Sequence, residues 1–573
     1  MSTKNISSPG ISIQTAFRGF VSKLLAKSAK FEFKVDPHKG VHFVDTTVNA
    51  MREGKNILVW GDKDIDGMTS TTYKIDMLSD VAEFMGFEEH TLDFHIPSRY
   101  DNYGLSYAQF KHKLEEYDLI ITSDNGTHRE FFDKLTKEDM DKLLIVDHHP
   151  NGDFSKYKNV INPNTEGNIK ISTGLLDEYL FQVFRKRYKQ YGEAREEDHF
   201  RDLAAISLLA DRADRNNPLV RRTIETGLKR VSQRERAIYR SLFPVFYGDT
   251  DTDITPEDID FGFSPKFNSS GRLLTELNIL VKILLNKKGG KIFDERVRDL
   301  IYVDLLRKDA TNAYTQSALV IAKEQLKKNP NANLLIIYQP NAPIGINGLI
   351  AGNIQQQLMV DTFSLSDNIM GDNRVTGSGR GENIKGHYLE MLQQFPELKE
   401  VFRGGGHFAA MGVTTDDIAM LIEKTEAYNR KVSPASEIKK EHALFNKEAI
   451  SIEDYRLLCE EYYKIVNDLP LDRKIMAKLK VYITGPTAMR NSFRKITIKD
   501  NNGDSQTIIA KENEEMEYNG LNPIDIAVEI KPIKELSSHE DAFFAEITPH
   551  NMIKPDNDIM VKLPLEIMTQ RTP

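Results

Sequence analysis

Cysteine is almost absent from this 573-residue chain, which contains a single one, Cys459. One cysteine excludes the internal disulfide framework that stabilises many small secreted domains. The composition therefore suits a reducing compartment, and we expect a cytoplasmic protein.

Long apolar runs are missing as well. No stretch approaches the roughly 20 apolar residues that a membrane-spanning helix requires. Near the N-terminus, Arg18 and Lys23 interrupt the apolar positions, which is not typical of a secretory signal. The pattern instead predicts an amphipathic helix over residues 11–27 that docks on the body of the protein, and we expect no membrane partner.

Positive charge is not in excess. The formal net charge is −9 and the pI is near 5.9, which argues against indiscriminate binding to nucleic acid. A local basic surface is still compatible with this balance, because electrostatic steering depends on where the charges lie.

The length exceeds what one hydrophobic core can organise and suggests about three or four domains. Short apolar runs alternate with helical stretches between residues 55 and about 215, which predicts an α/β fold with a doubly wound, mostly parallel sheet. The predicted strands of this sheet are Ile57–Trp60, Leu92–Ile96, Leu119–Thr122, Leu143–Val146 and Val160–Ile161.

The remaining sequence predicts further domains. A second α/β stretch opens with the apolar run Leu334–Tyr338, and the five short strand-like runs after residue 477 suit a small barrel or sandwich. We divide the chain into an N-terminal helical extension (1–50), the first α/β domain (51–230), a helical connector (231–330), the second α/β domain (331–432) and a C-terminal β-domain (443–573).

Acidic residues and histidines follow the apolar runs of the first sheet. Parallel α/β sheets bind ligands at the carboxyl ends of their strands, so these side chains should share one edge. The segments are GDKDIDG with Asp62, Asp64 and Asp66, SDNG with Asp124, DHH with Asp147, His148 and His149, and LADRAD with Asp211 and Asp214.

The acidic triplet alternates along the sequence, which on an extended backbone would direct Asp62, Asp64 and Asp66 to one side. Carboxylates that cluster without lysine partners repel one another unless cations neutralise them. Four carboxylates and an imidazole suit two divalent metal ions. For the histidine pair alone, a solvated surface turn is the structural alternative. Surface solvation or helix capping is the alternative for Asp62 and Asp214.

The order and spacing of GDKDIDG, SDNG, DHH and LADRAD resemble motifs one to four of the DHH phosphoesterases. Further segments resemble the RecJ branch of single-strand-specific exonucleases, and those beyond residue 340 resemble its accessory domain, DHHA1. These segments are HIPSRYDNYGL (95–105), VINPN (160–164), SPKFNSSGRL (264–273), GINGLIAGNI (345–354), TGSGRG (376–381) and RGGGHFAAMG (403–412). RecJ proteins carry an OB-like barrel near the C-terminus, so the resemblance implies one in residues 443–573.

The resemblance implies a role for each residue of the acidic edge. Asp64 and Asp66 would each favour one metal ion, Asp124 would bridge the two, and His148 with Asp211 would complete the second site. His149 would donate to the scissile phosphate, and Asp147 would orient a histidine. Asp62 is a further metal candidate. Mixed carboxylate and imidazole ligation favours two Mn²⁺ ions over Ca²⁺, with Mg²⁺ as an alternative.

The nucleic-acid-binding candidates are arginines and glycines of the matched segments. Arginine binds phosphate through a planar fork, and successive backbone amides can cradle an anion. We expect these residues in glycine-flanked loops and one glycine-rich turn around a shared cleft: Arg99, Arg272, Ser378 and Arg380 in the loops, and Gly405, Gly406 and His407 in the turn.

The C-terminal β-domain contains a local basic strip. Between Arg473 and Lys499 there are eight lysines and arginines and no acidic residue. Single-strand binding by OB folds combines such charge with aromatic stacking platforms. The candidates are Tyr482, Arg490, Phe493 and Arg494, although a charge run is more often a solvated face.

Together these patterns, with the RecJ resemblance, predict a metal-dependent 5′→3′ exonuclease that hydrolyses single-stranded DNA to 5′-mononucleotides. The polarity comes from the resemblance alone, as does a single-strand-binding protein or helicase as partner. Two alternatives stay open: a DHH phosphodiesterase for oligonucleotides or cyclic dinucleotides, and a non-catalytic replication scaffold.

Overall fold

The computed structural model describes most of the chain, and the statements below concern these residues: 12–28, 35–98, 105–150, 152–164, 170–247, 253–273, 276–369, 374–406, 409–430, 443–445, 449–466, 471, 474–488, 493–511, 523–533, 543–545 and 547–549. The chain forms two compact units, residues 33–213 with 223–436, and residues 1–32 with 214–222 and 437–573. None of the described helices is long and apolar enough to cross a membrane.

The first sheet of the larger unit has five parallel strands in the order β2-β1-β3-β4-β5. The strands are β1 (Asn56–Trp60), β2 (Thr91–His95), β3 (Leu119–Ser123), β4 (Leu143–Val146) and β5 (Val160–Ile161). Every residue of β3 and β4 is buried, as expected when helices cover both faces of a parallel sheet. The five predicted strands are confirmed.

Helices precede, separate and follow these strands in the N-terminal part of the chain. They are α1 (Ile13–Ser28), α2 (Pro37–Arg52), α3 (Ile65–Met85), α4 (Tyr107–Lys113), α5 (Arg129–Phe132), α6 (Lys137–Asp141), α7 (Thr173–Arg187), α8 (Lys189–Ala194) and α9 (Arg201–Ala210). Except for α1, they belong to the larger unit. Helix α3 follows β1 directly and packs against α7 and α9.

The connector is helical, as predicted. Helix α10 (Pro218–Ser232) ends in the first residues of the connector, and its further helices are α11 (Ala237–Tyr247), α12 (Ser264–Leu273), α13 (Asn278–Leu285) and α14 (Lys291–Lys328), with a π-helical segment at Asp258–Phe263. The prediction of a loop around Arg272 is wrong, because SPKFNSSGRL forms α12. Gly271 of this segment lies against the carbonyl of Lys63. The position therefore requires a small residue, and its glycine does not indicate a turn.

The second sheet has the strand order β6-β7-β8-β10-β9, in which only β6 and β7 pair in parallel. The strands are β6 (Leu334–Tyr338), β7 (Asp361–Asp367), β8 (Val375–Arg380), β9 (Phe402–Gly406) and β10 (Ala410–Thr415). The accompanying helices are a 3₁₀ turn at Ile344–Ile346, α15 (Asn347–Leu358), α16 (Ile384–Gln394), α17 (Leu398–Val401) and α18 (Ile418–Asn429).

Two further loop predictions are wrong in this sheet. Ser378 and Arg380 lie within β8, and Gly405 and Gly406 lie within β9. The glycines of these strands permit close backbone packing rather than a turn: a Cβ on Gly377 would lie 2.0 Å from the Ser364 carbonyl oxygen. Glycine content alone therefore misled the prediction.

The smaller unit is built from strands near the C-terminus and two helices. The strands are β11 (Ala443–Leu444), β12 (Ile475–Ala488), β13 (Phe493–Lys499), β14 (Ser505–Lys511), β15 (Ile524–Glu529), β16 (Phe543–Phe544) and β17 (Ile547–Pro549), and the second helix is α19 (Ile452–Val466). The predicted N-terminal helix is confirmed as α1, and it packs on α19 with the Phe17 and Tyr462 ring centroids 5.9 Å apart.

Candidate metal centre

The carboxyl ends of β1, β3 and β4 bring the predicted acidic residues and histidines to one edge of the first sheet. Because these three parallel strands are neighbours, the segments that follow them meet there. Helix α9 reaches the same place, and Asp211 is its C-cap residue. The structure therefore brings the predicted residues that follow β1, β3 and β4 together at one edge.

The acidic triplet is not arranged as predicted. Asp64 is the N-cap residue of α3, and its side chain accepts a hydrogen bond from the Gly67 amide at 3.1 Å. Asp66 lies one residue inside the helix rather than on an extended strand. The expectation of alternation along an extended backbone is therefore wrong, since the helix begins at Ile65.

Three groups of side chains offer ligand atoms that lie within 4.8 Å of one another. The groups are Asp62, Asp64 and Asp124; Asp66, His148 and Asp211; and Asp124, His148 and His149. Asp124 and His148 each belong to two groups, so the sites are contiguous. Carboxylate oxygens and imidazole nitrogens are ligands that suit Mn²⁺, and these residues fit divalent cations.

His148 is the central member of the constellation. Its Nε2 atom lies 3.2 Å from Asp124 Oδ1, 3.5 Å from Asp66 Oδ2 and 3.6 Å from Asp211 Oδ2. Both Asp66 and Asp124 are buried, and the Asp211 side chain is 37% exposed. The edge is consequently a half-enclosed anionic site that is open at Asp211.

Asp124 has an unusual backbone conformation. Its φ of 67° lies in the left-handed region, which non-glycine residues rarely adopt. The following turn is held by the Asn125 side chain, which donates to the carbonyls of Trp60 and Ser123 at 3.2 and 3.0 Å. Such conformations persist where the surroundings determine them, and they concentrate at functional sites.

Two hydroxyl residues outside the predicted set hold the carboxylates in place. Ser207 Oγ donates to Asp66 Oδ1 at 2.5 Å, and Thr173 Oγ1 donates to Asp124 Oδ1 at 3.1 Å. The Thr173 amide also donates to Asp66 Oδ2 at 3.0 Å. Sequence reasoning missed both residues; the only available signal was that Ser207 lies one helical turn before Asp211 on α9.

The Asp147 side chain contacts the imidazole of His149. The Asp147 carboxylate lies 2.8 Å from His149 Nδ1 and accepts from the Thr127 hydroxyl at 2.5 Å. Behind the histidines, Asn162 donates to the His149 carbonyl and Asn164 to the His148 carbonyl, each at 2.8 Å. Hydrogen bonds to a side chain and to the backbone therefore fix the segment that carries both imidazoles.

The pKa values reflect crowding of like charges. Burial raises the pKa of Asp124 well above its usual value, and the nearby Asp66 charge raises it further. Burial raises the pKa of Asp211 to about 7, although His148 opposes this shift. Burial lowers the pKa of His148, but the surrounding carboxylates outweigh it and raise the pKa well above 6.5. The site thus takes up positive charge, as a proton or as a cation.

The pKa of the second histidine, His149, depends on burial and on a different carboxylate, that of Asp147. Burial lowers the pKa of His149, but the charge of Asp147 and its hydrogen bond outweigh burial and raise the pKa to about 9. Burial opposes ionisation of Asp147, yet His149 and Thr127 hold its pKa far below the usual range. The imidazolium–carboxylate pair is therefore the stable form near neutral pH.

A buried ion pair lies below the acidic edge. Lys74 is fully buried, and its Nζ atom lies 2.6 Å from Asp177 Oδ1 and donates to Ser123 Oγ at 2.8 Å. Ser123 Oγ donates in turn to Ser70 Oγ at 2.9 Å. This network supports the end of β3, one residue before Asp124.

The two remaining metal candidates, Asp62 and Asp214, lie in different environments. Asp62 is 5% exposed and belongs to the group with Asp64 and Asp124. Asp214 accepts a hydrogen bond from the Asn216 amide at 2.9 Å and does not occur in the ligand groups of the described residues. Asp214 therefore fits its structural alternative, the capping of a turn.

Three of the predicted nucleic-acid-binding residues come together at the start of α15. Arg272 Nη1 donates to the Gly345 carbonyl at 2.8 Å. A Cβ on Gly348 would lie 2.7 Å from Arg380 Nη2 and 3.5 Å from the Ser378 Cβ. Gly348 thus leaves room for the guanidinium, and the three side chains surround one helix N-terminus.

The other candidates are distributed more widely. Gly405 and Gly406 are exposed on β9, at the edge of the second sheet. Tyr482 pairs with Lys499, and Arg494 with Ala488, in the β12–β13 ladder of the smaller unit. Arg99, His407, Arg490 and the side chain of Phe493 lie outside the described residues.

Comparison with known proteins connects this geometry to a family. Residues 56–210 match the DHH family, N-terminal domain. The chain is 24% identical over 375 residues to the single-stranded-DNA-specific exonuclease RecJ of Bacillus subtilis, covering 65% of this chain and 45% of the relative. It is 26% identical over 395 residues to the Haemophilus influenzae exonuclease of the same name, covering 65% of each. The chain thus spans less than two thirds of the length of either relative.

The fold is similar to that of a solved structure. The crystal structure of Thermus thermophilus RecJ in complex with Mn²⁺ superposes with a TM-score of 0.64 at 18% identity, covering 87% of this chain and 68% of the other. The resemblance to DHH phosphoesterases and their RecJ branch, first predicted from the motifs, is confirmed by these comparisons.

Proposed function

We propose that this RecJ-like chain is a metal-dependent exonuclease that hydrolyses single-stranded DNA from the 5′ end to 5′-mononucleotides. The observation that carries the proposal is the set of three contiguous ligand groups, two of which include Asp124 and two of which include His148. In support, the curated relatives are named as single-stranded-DNA-specific exonucleases.

The centre would hold two Mn²⁺ ions, with Mg²⁺ as an alternative. One ion would be held by Asp62, Asp64 and Asp124, and the other by Asp66, His148 and Asp211, with Asp124 reaching both. When bound, such ions lower the pKa of coordinated water and neutralise charge on a phosphodiester. Ser207 and Thr173 keep the carboxylates oriented in the absence of substrate.

His149 would act on the scissile phosphate. Its Nδ1 atom is engaged by Asp147, so Nε2 is the atom that would donate to a phosphate oxygen. Its pKa of about 9 keeps the imidazole protonated at neutral pH, which favours binding to a phosphate anion. Asp147 is a positioning residue in this scheme.

The DNA strand would run from the metal centre along the second sheet. Arg272, Ser378 and Arg380 would contact backbone phosphates or the 5′-phosphate, with Arg99 and His407 in the same role. The exposed amides of Gly405 and Gly406 would add backbone donors. Residues 331–432 would form the DHHA1-like domain of this arrangement.

The smaller unit would bind single-stranded DNA on its own strands. Its strands would form an OB-like module in which Tyr482 and Phe493 stack on bases and Arg490 and Arg494 bind phosphates. A single-strand-binding protein or a helicase would supply the substrate strand, in the cytoplasm.

The test is a time course with Mn²⁺ on a 5′-phosphorylated, 3′-labelled single strand, with a matched duplex and a dinucleotide in parallel. We expect progressive shortening of the labelled strand and an intact duplex. Early release of labelled mononucleotide would instead indicate attack from the 3′ end. Hydrolysis of the dinucleotide alone would favour the small-substrate phosphodiesterase, and no hydrolysis by a Mn²⁺-loaded protein would favour the scaffold.

Matched variants connect the activity to the site. Asp124→Ala removes the carboxylate that belongs to two of the three ligand groups and should abolish hydrolysis and Mn²⁺ binding. Asp45→Ala removes an aspartate whose contact is an exposed ion pair with Arg187, and it should leave both unchanged. Wild-type hydrolysis by the Asp124→Ala variant would refute the assignment of the centre.

A further inference from the structure

Helix α12 contacts two segments of the larger unit. One is the acidic turn, defined here as residues 62–66 between β1 and the start of α3, and the other is the segment before α15. On one side it packs against α3, and on the other against the 3₁₀ turn that precedes α15. It also packs along the long helix α14. The helix is therefore in contact both with the segment that carries Asp64 and Asp66 and with the second α/β domain.

The contact with the acidic turn includes a specific hydrogen bond. The Asn268 side-chain oxygen accepts from the Ile65 amide at 3.1 Å. Ile65 is 2% exposed and is the first residue of α3, between Asp64 and Asp66. Amides in the first turn of a helix have no partner within the helix, so each needs an external acceptor. Asp64 caps Gly67, and Asn268 caps Ile65 from 203 positions along the chain.

Close backbone packing supports this bond. A Cβ on Gly271 would lie 2.2 Å from the Lys63 carbonyl oxygen, so α12 and the acidic turn approach as closely as a glycine permits. The acidic turn therefore has little freedom to move relative to α12.

The other side of α12 is equally constrained. A Cβ on Gly345 would lie 2.1 Å from the Arg272 carbonyl oxygen. Ser269 Oγ donates to Asp304 Oδ1 at 2.7 Å and accepts from Arg307 Nε at 3.1 Å, which attaches α12 to α14. Asn268 is thus carried by a helix whose position the second domain and α14 determine.

We propose that Asn268 is a positioning residue for the metal centre: by capping Ile65 it holds Asp64 and Asp66 in the arrangement that binds a divalent cation. This inference rests on the proposed function, because it assumes that these carboxylates are metal ligands. It assigns to the connector a role in metal affinity, in addition to its role as a link between domains.

The experiment measures Mn²⁺ binding alone, by titration calorimetry on the full chain without DNA. Loss of a group that orients metal ligands typically weakens metal binding 10- to 100-fold, so Asn268→Ala should weaken Mn²⁺ binding by about 10-fold. Asn268→Asp keeps an acceptor oxygen of the same size and should retain affinity to within about threefold of wild type.

Asn278→Ala is the matched control. Asn278 also lies on a connector helix, and its side-chain oxygen accepts from the Ile96 amide at 2.8 Å. Its loss removes the same type of bond to the first sheet, at the end of β2 rather than in the acidic turn. We expect a similar fall in thermal stability for the two alanine variants, and reduced Mn²⁺ affinity only for Asn268→Ala.

Several outcomes would overturn the inference. Equal Mn²⁺ affinities for wild type and Asn268→Ala would do so, as would an equal loss in the Asn278→Ala control or no rescue by Asn268→Asp. A wild type that binds Mn²⁺ but hydrolyses no DNA would refute the proposed function and leave this inference intact. A wild type that binds no Mn²⁺ would overturn both.

Discussion

The buried pair of Lys74 and Asp177 offers a sharp test of the electrostatics beneath the acidic edge. Both side chains are fully buried, and Nζ lies 2.6 Å from Oδ1. Burial raises the pKa of Asp177 to about 7, although Lys74 lowers it. The aspartate is therefore protonated in the folded protein at low pH and ionised above about pH 7.

Substitution of Lys74 by methionine removes the counter-charge and keeps the volume. Removing one partner of a buried pair typically costs about 3–5 kcal/mol of unfolding free energy. In the variant, Asp177 must keep its proton at higher pH than in the wild type. Above about pH 7 the folded variant binds one proton more than the folded wild type, so the cost grows by about 1.4 kcal/mol per pH unit. Below about pH 7 both forms are protonated and the cost is constant.

We therefore expect the free-energy cost of Lys74→Met to be about 2 kcal/mol larger at about pH 8.5 than at about pH 6. The measurement is urea denaturation of the metal-free protein followed by tryptophan fluorescence. Trp60, the only tryptophan of the chain, lies at the end of β1 and reports unfolding of the first sheet.

Lys39→Met is the control for this measurement. Lys39 is buried too, but its Nζ atom donates to the carbonyls of Phe154 and Val160 at 2.8 and 2.9 Å. Carbonyl oxygens do not titrate, so its cost should be similar at both pH values. A Lys74→Met cost that is likewise independent of pH would refute the reasoning, because Asp177 would then have the same protonation state in the variant and the wild type at both pH values.

Three further predictions concern the proposed centre. Chelation of divalent cations with EDTA should abolish hydrolysis, and excess Mn²⁺ should restore it; activity that survives chelation would contradict a metal mechanism. Asp147→Asn should lower kcat by at least about 10-fold with little change in Mn²⁺ affinity, because His149 loses the carboxylate that orients it; an unchanged kcat would exclude that role. Gly271→Ala places a Cβ 2.2 Å from the Lys63 carbonyl oxygen and should cost about 1–3 kcal/mol of unfolding free energy, measured by urea denaturation; a neutral effect would show that α12 can shift.

The first sheet and most of its candidate ligand residues were predictable from the sequence. Continuous apolar runs indicate buried parallel strands, and carboxylates directly after such strands indicate a shared edge. These signals are local, since a run and the residues after it are adjacent in the chain. They placed Asp124 and His148 correctly without any knowledge of helix packing.

The errors arose where one local composition is compatible with two different structures. Glycine-rich segments around Ser378 and Gly405 suggested loops, yet both form strands in which glycine admits a neighbouring backbone. The acidic triplet suggested an extended strand, yet the helix begins at Ile65 because Asp64 caps it. Whether such a segment forms a loop, a strand or a helix depends on the element against which it packs.

By itself, then, the sequence determined which apolar runs form the strands of the first sheet, the types of candidate ligand side chain and their position after β1, β3 and β4. The tertiary structure alone decided which groups orient those ligands. Thr173 contacts Asp66 across 107 positions of sequence, Ser207 across 141, and Asn268 contacts Ile65 across 203. No local sequence pattern identifies which hydroxyl or amide side chain will make such a contact, because its partner depends on how helices that are distant in sequence pack together.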